Sequence, residues 1–534
     1  MLRGYMKESK EDSVDLGDIS AVALQMVVDF IYSGEMDLDM DSLIDMLNAA
    51  NRLQIQTALD LCSDYMISLL TFANAEELMH IADMYLLSRV TDFYKAKVLN
   101  EFDAFSRCAV FFSLSAKQLE SYLADDQLKI KSEHQLLDTV VRWCSHDAAN
   151  RTDSVPALIK CIRFGLLSKH QLLQLQQMQH SLKTQCPAVL NAIEAGLKYH
   201  TDSAAGHPRI SSVCQIRAHE KSLVLVHQGS SLRPFEIMAY DHVQSKFYTL
   251  ASDTNGSRDC RVTVIDNFVY ISRVVDSGGG ALVNGLVRFD PRHLVLQTLT
   301  PCRRLRIDPA IAACGRQLYK FGGSVDVPQG ACGNTVLDSV ECYDAVSNVW
   351  TERQPLPQPL HSHAAVYTKG RVFISGGITT PGRLVPDMLS YDLATDQYTL
   401  KAPMFSPRRL HEMAAIDDSI YILGGIGAHS FHQNTLIPIE SYSIDTNQWT
   451  LLSQTLAGRS IGHFVAFQDG ILSLGREHHQ ATEDDIWRYD TKCETWTTFT
   501  KAPLRTSLSS TFCALLHVNF FDEKIAWRAV QERR

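Results

Sequence analysis

Of the cationic and imidazole side chains in the second half of this 534-residue chain, seven stand out by their placement: Arg306, His361, His363, Arg409, His411, Arg459 and Arg505. Gathered around one opening, such groups would bind carboxylate or phosphate through charge-assisted hydrogen bonds, each contributing about 1.5–3 kcal/mol. Other constellations carry less. Ser277-Gly278-Gly279-Gly280 has the small residues of a phosphate cradle, but no Lys-Ser/Thr follows, so it reads as a loop. The pairs His361/His363 and His478-His479 lack a third ligand at metal-site spacing, so no metal and no cofactor is expected. Cys302, beside Arg303 and Arg304, is the thiol whose neighbours best suit reactivity. No P-loop, HExxH, G-x-S-x-G or G-x-G-x-x-G is present. The chemistry that remains is recognition, without catalysis.

Composition narrows the partner. The chain is 45% hydrophobic and 21% charged, with a formal net charge of -10. A net acidic chain argues against nucleic acid as the main ligand. No apolar run reaches the roughly 18 residues of a membrane span, and the N-terminus lacks a signal-peptide core. The 13 cysteines are scattered, odd in number and without a C-x-x-C pair. They read as reduced thiols, which places the chain in the cytoplasm, with cytoskeletal or nuclear sites as further options.

These side chains recur at related places because the sequence around them repeats. An aromatic residue is followed seven places later by a large apolar one at Tyr240/Phe247, Phe289/Leu296, Tyr343/Trp350, Tyr391/Tyr398, Tyr442/Trp449 and Tyr489/Trp496. Successive leading aromatics lie 49, 54, 48, 51 and 47 residues apart. Asp follows the aromatic in five copies, where its carboxylate suits the turn into an outer strand. Upstream stand the doublets Gly322-Gly323, Gly376-Gly377 and Gly424-Gly425, with Leu474-Gly475 in the sixth copy and no doublet in the first two. Copy five divides into HEMAAI, SIYILGG, IPIESYSI and QWTLL, which reads as four strands per unit. A period near fifty with four strands means a propeller or an array. Copy one enters directly at KSLVLVHQG, and SLSSTFCALLHV remains after copy six. The surplus strand is expected to complete the first blade and remove the open edges.

The doublet, the Tyr-Asp pair and the Trp together closely resemble the kelch repeat over residues 210 to 520. That resemblance implies a six-bladed all-β propeller whose pre-strand loops line one rim. Counting fifteen residues back from the first doublet position reaches His361 and Arg409, and from Leu474 reaches Arg459. Arg306 lies one place off, Arg505 sits in the segment before the closing strand, and His363 and His411 follow two residues later. These residues are expected to ring one mouth and to take a protein segment bearing Asp, Glu or phosphate. Ser324, Thr379, His429 and His478 are further loop candidates.

Residues 1 to 200 are poor in glycine and helical in period. In SAVALQMVVDFIYSG, Leu24, Val27, Val28 and Ile31 mark one apolar stripe, Ser20 an N-cap and Gly34 a stop. Further helices are expected at about 41–53, 57–70, 74–87, 92–104, 116–123, 133–147, 155–163 and 168–177. FIYSGE and DSLIDMLNAANRLQIQTALDLCSDYM resemble the second half of a BTB domain. LKIKSEHQLLDTVVRWCSHD and ALIKCIRFGLLSKHQLL resemble the BACK domain of BTB-BACK-kelch proteins. The expected layout is 1–70 the C-terminal half of BTB, 71–200 BACK, 201–220 a linker, 221–518 the propeller and 519–534 a tail.

The resemblance implies a non-catalytic adaptor. BTB dimerises and binds cullin-3, BACK supports that contact, and the propeller recruits a substrate for ubiquitination. The early strands and helices of a BTB domain, with most of its dimer surface, have no counterpart in this sequence, so a homodimer is expected only if they exist elsewhere. Met6-Lys7-Glu8 matches the family's hydrophobic-x-Glu cullin motif, and Tyr32 belongs to the same expected surface. The first 45 residues hold eleven acids and three bases, a solvated acidic face suited to a basic partner. The alternative is a cytoskeletal scaffold that binds actin without ligase function.

Overall fold

The computed structural model describes residues 19–181, 186–206, 211–218, 220–229, 235–253, 257, 259–276, 282–325, 335–380, 382–427, 438–452, 460–476, 485–502, 511–520 and 525. The chain divides into two compact units, residues 1–130 with 135–161, and residues 131–134 with 162–534.

The first unit is helical. Its opening helix, Ala21–Ser33, starts where the Ser20 hydroxyl accepts from the Ala23 N–H at 3.1 Å and stops at Gly34 with φ 74°. Helix Met40–Leu53 begins with a reciprocal capping box between Asp39 and Ser42. It buries Leu43, Met46, Leu47 and Ala50, and helix Gln56–Leu69 buries Ala58, Cys62 and Met66. Farther along, Phe105 is fully buried, with ring centroids 5.2 Å from Phe72 and 5.9 Å from Phe111. One expectation is corrected here. The buried face of Ala21–Ser33 is Ala23 and Val27, whereas Val28 and Ile31 are exposed. Of the expected stripe only Val27 is buried and Leu24 half-buried, and the core takes the side that carries the small Ala23.

The second unit holds the propeller. Its described strands form six four-stranded antiparallel sheets, which we number as blades I to VI, and two short two-stranded hairpins. The innermost strands are Thr511–Leu516, Asp259–Ile265, Ala310–Cys314, Ala364–Thr368, Arg408–Ile416 and Ser460–Phe467. The closing strand pairs Ser222 with Leu516 and Val226 with Phe512, so the C-terminal segment supplies the missing strand of blade I.

The seven-residue spacing is a hairpin register. Tyr343 lies directly opposite Trp350, and Phe289, Tyr391, Tyr442 and Tyr489 face their partners in the same way. Where Asp follows the aromatic, its carboxylate closes the turn, and in the Tyr442/Trp449 hairpin Ser443 takes that place. Asp344 Oδ1 accepts from Val346 N at 2.7 Å and Ser347 N at 3.2 Å, and Asp392 and Asp490 repeat this. The aromatics then fill the space between blades: Tyr343, Trp350 and Leu318 of blade III pack with Tyr270 and Leu286 of blade II.

Helix Pro187–Ala204, which the sequence reading omitted, also belongs to this unit. Gly196 interrupts its pattern, and a Cβ there would meet Phe164 O at 2.9 Å. Tyr199 donates to Asp290 at 3.0 Å and Arg288 donates to Ser203 O at 3.0 Å, which docks the helix under blade II. The segment expected as a linker is tied down as well: Arg217 Nε donates to Glu133 Oε1 at 2.7 Å, both side chains buried.

Candidate functional site

Each inner strand starts at one face of the propeller and turns back at the other. The turns of the second face meet helix Pro187–Ala204 and its neighbours, as the Asp290, Arg292 and His293 bonds show. The first face, with the pre-strand segments and the glycine doublets, is the mouth of a channel of about 940 Å³ lined by the inner strands.

The doublets exist because neighbouring backbones come very close there. Gly322 and Gly323 have φ of 53° and 100°, and Gly376 and Gly377 of 62° and 93°. A Cβ on Gly322 would lie 2.3 Å from Leu360 O, and one on Gly376 would lie 2.6 Å from Arg408 O. The second glycine instead donates across the gap: Gly323 N to Leu360 O at 2.8 Å, and Gly377 N to Arg408 O at 2.9 Å.

Next to the doublets runs a second, unexpected link between blades. Asp308, Ser362 and Leu410 hold the same place in blades III, IV and V, with φ of 50°, 55° and 54°. Ser362 N donates to Asp308 O at 2.9 Å, and Leu410 N to Ser362 O at 2.8 Å. Left-handed non-glycine backbone costs on the order of 1–3 kcal/mol and clusters where a protein binds or reacts. Leu410 is the telling case, since it lacks the local hydrogen bonding that eases Asp into this region and its side chain is 46% exposed.

The structure sorts the seven predicted side chains. Arg306 is not a rim cation. It is 0% exposed and donates to Gly322 O at 2.9 Å, Ser339 O at 2.8 Å and Glu341 Oε2 at 2.6 Å. Its one-place offset is the reason: Arg306 matches Arg408, which is equally buried and bonded to Gly424 O, Pro438 O and Glu440. Position sixteen before the doublet is fully buried in both copies, whereas His361 and Arg409 at position fifteen are half-buried. His363 and His411 are buried too, wedged against the doublets, with His411 Nε2 2.9 Å from Ser375 Oγ. Burial pulls both imidazole pKa values down to about 3, so neither is cationic near neutral pH. His361 is half-buried, its pKa also lowered by burial, and its Nδ1 is 3.0 Å from Ser362 Oγ. Arg409 is half-buried in the strand facing the exposed Ile426. Arg459 and Arg505 lie outside the described residues, as do His429, His478, Met6 and Glu8. Tyr32 is described and is 88% exposed on the first helix, beside exposed Ile31 and Val28.

Sequence reasoning missed the mouth's strongest polar cluster. Arg261 donates to Asp259 Oδ1 at 2.8 Å, Asp308 Oδ1 at 2.9 Å and Pro309 O at 3.1 Å. Ser362 Oγ donates to Asp308 Oδ2 at 3.2 Å, which extends the cluster to blade IV. Asp259 is pushed above the usual carboxylate range, chiefly by burial, with Arg261 opposing. The signal was an arginine inside the otherwise apolar inner strand of a copy without a doublet. The described mouth is therefore nearly charge-balanced, with an apolar spot at Leu410 and Ile426 and Arg409 beside it. Among the described residues no group of three His, Cys, Asp or Glu side chains could hold a metal ion. No described helix is long and apolar enough to cross a membrane.

Comparison with known proteins agrees with this architecture. Residues 1–63 match the family model of the Kelch-like protein 33-like BTB/POZ domain, residues 75–177 the BACK (BTB And C-terminal Kelch) model, and residues 309–521 the KLHDC2/KLHL20/DRC7 Kelch-repeats domain. Kelch-like protein 36 of Mus musculus is 29% identical over 528 residues, covering 96% of this chain and 84% of its own length. Kelch-like protein 26 of Danio rerio is 28% identical, with 93% and 82% covered. Kelch repeat and BTB domain-containing protein 8 of Homo sapiens is 25% identical, with 92% and 80% covered.

Proposed function

Because this chain belongs to the BTB-BACK-kelch family, we propose that it is the substrate-recognition adaptor of a cullin-3 RING ubiquitin ligase. The family is of adaptor type, and an adaptor forms and breaks no bonds. It raises the effective concentration of a bound protein near the ubiquitin carrier. The observation that supports this reading most is the described part of the mouth: its blades are tied to one another at Asp308, Ser362 and Leu410, all in left-handed backbone, on the face opposite helix Pro187–Ala204.

The partner segment places an apolar side chain over Leu410 and Ile426 and a carboxylate or phosphate against Arg409. Arg459 and Arg505 are further candidates for that anion. On the cullin side, Met6, Glu8 and Tyr32 form the proposed docking set. Tyr32 fits that role because it stands 88% exposed beside exposed Ile31 and Val28.

The test is a comparison of captured partners. Wild-type chain and the mouth variant Arg409→Glu/Leu410→Glu are used as baits, and each captured protein is then assayed for cullin-3-dependent ubiquitination in a reconstituted reaction. The reading expects at least one protein held by wild type, lost by the variant and ubiquitinated only when cullin-3 is present. Actin filaments that cosediment with wild type, with no partner ubiquitinated, would replace it with the scaffold reading.

A further inference from the structure

The structure contains a buried amine–thiol pair that recognition of a partner does not use. Lys320 lies in the second strand of blade III and is 1% exposed. Its Nζ donates to Ser272 Oγ of blade II at 3.0 Å and to Cys302 Sγ at 3.4 Å. Cys302 is 6% exposed and stands in the segment between the two blades, its thiol 3.5 Å from Arg304 O. Among the described residues no carboxylate stands at ion-pair distance from Lys320, which is unusual for a buried lysine.

We propose that Cys302 and Lys320 are a redox modification site, joined by a reversible sulfur–nitrogen bond when the chain meets hydrogen peroxide. Peroxide is the oxidant. Its O–O bond breaks, the Cys302 sulfur takes one oxygen to become sulfenic acid, and the other oxygen leaves as water. The Lys320 nitrogen lone pair then attacks that sulfur. The S–O bond breaks, and the departing hydroxide takes a proton from nitrogen and leaves as a second water. Sulfenic acids are known to condense with thiols and with backbone nitrogen in this way. The amine must be neutral to attack, and burial draws the Lys320 pKa down, with Arg306 adding to the effect and Cys302 and Asp259 opposing it. Ser272 holds the nitrogen in place, so the first oxidation forms its product beside its own trap. Cys302 keeps 6% of its surface exposed, so a molecule as small as peroxide reaches it from solvent.

The link would fasten the segment leading to Arg306 and Asp308 onto its own blade, close behind the mouth. The test treats the folded full-length chain with peroxide, caps free thiols, and digests it with trypsin without reductant before mass spectrometry. The expected product joins the peptides of Cys302 and Lys320 at their summed mass less two hydrogens. Cleavage after Lys320 is lost, and dithiothreitol restores both peptides. Lys320→Gln should divert Cys302 to sulfinic acid, and Cys302→Ser should leave Lys320 cleavable. The wild-type digest decides by itself should a variant not fold. Sulfinic Cys302 with Lys320 still cleaved, an unoxidised Cys302, or a joined peptide one oxygen heavier would each overturn the S–N bond.

Discussion

The buried pair Arg408–Glu440 should act as one unit that shapes the mouth. Both side chains are fully buried. Glu440 also accepts from Phe405 N at 2.8 Å and Ser406 N at 3.0 Å, so it fixes the segment that carries Arg409 and Leu410. Arg408→Met leaves the carboxylate buried without its cation, and Glu440→Gln leaves the guanidinium without its anion. Removing one member of such a pair costs about 3–5 kcal/mol. The double variant buries no charge, and the Gln oxygen still accepts from the backbone, so its loss should not exceed that of either single variant. Urea unfolding followed by tryptophan fluorescence measures this, since Trp350, Trp449, Trp487 and Trp496 lie in the blades. Coupling of at least about 1 kcal/mol is expected for contacting residues. Losses in the double variant equal to the sum of the singles would refute the reasoning, because they would show that the two groups do not interact.

Three further outcomes follow from the same geometry. His363 and His411 are held neutral with pKa near 3, whereas an unfolded histidine titrates near 6.5, so stability is fully present above that value and falls as pH drops toward 3. Each ring should cost about 2 kcal/mol at pH 5, and thermal melts across pH should flatten in His411→Gln. Gly376→Ala adds a Cβ 2.6 Å from a carbonyl at a φ of 62° and should destabilise the propeller by at least about 1–3 kcal/mol, while Gly370→Ala, with open space around its Cβ, should lose only the smaller backbone term. Leu410→Asn should leave the urea midpoint unchanged or raise it, since Asn tolerates left-handed backbone, yet weaken partner capture; unchanged capture would remove Leu410 from the binding surface.

How much was legible depends on whether a feature repeats. The Tyr343/Trp350 spacing, the Asp344 turn and the doublets recur, and each is a local rule of a four-stranded blade. Closure by Thr511–Leu516 was legible for the same reason, because one unit lacked a strand and one segment lacked a unit. The mouth was legible only in part. A register counted along the sequence cannot tell position sixteen from position fifteen when both carry arginine, and in a strand that one place reverses the side chain's direction. Arg306 is thus a buried brace, while Arg409 stays near the rim. Burial also silenced His363 and His411, whose charge sequence alone had assumed. Arg261 and its two aspartates were hidden for another reason: they join residues 259, 261 and 308, and no local pattern connects separate blades.

The adaptor reading meets its most direct test in a calorimetric titration of this chain with the N-terminal region of cullin-3. Wild type is compared with Tyr32→Ala and with Met6→Ala/Glu8→Ala. Tyr32 is so exposed that its truncation should change stability by no more than about 0.5 kcal/mol, which separates lost binding from lost folding. The account predicts saturable heat with wild type and at least about tenfold weaker binding in both variants, equivalent to about 1.4 kcal/mol. A folded wild-type chain that gives no binding heat, or variants that bind as wild type does, would contradict it.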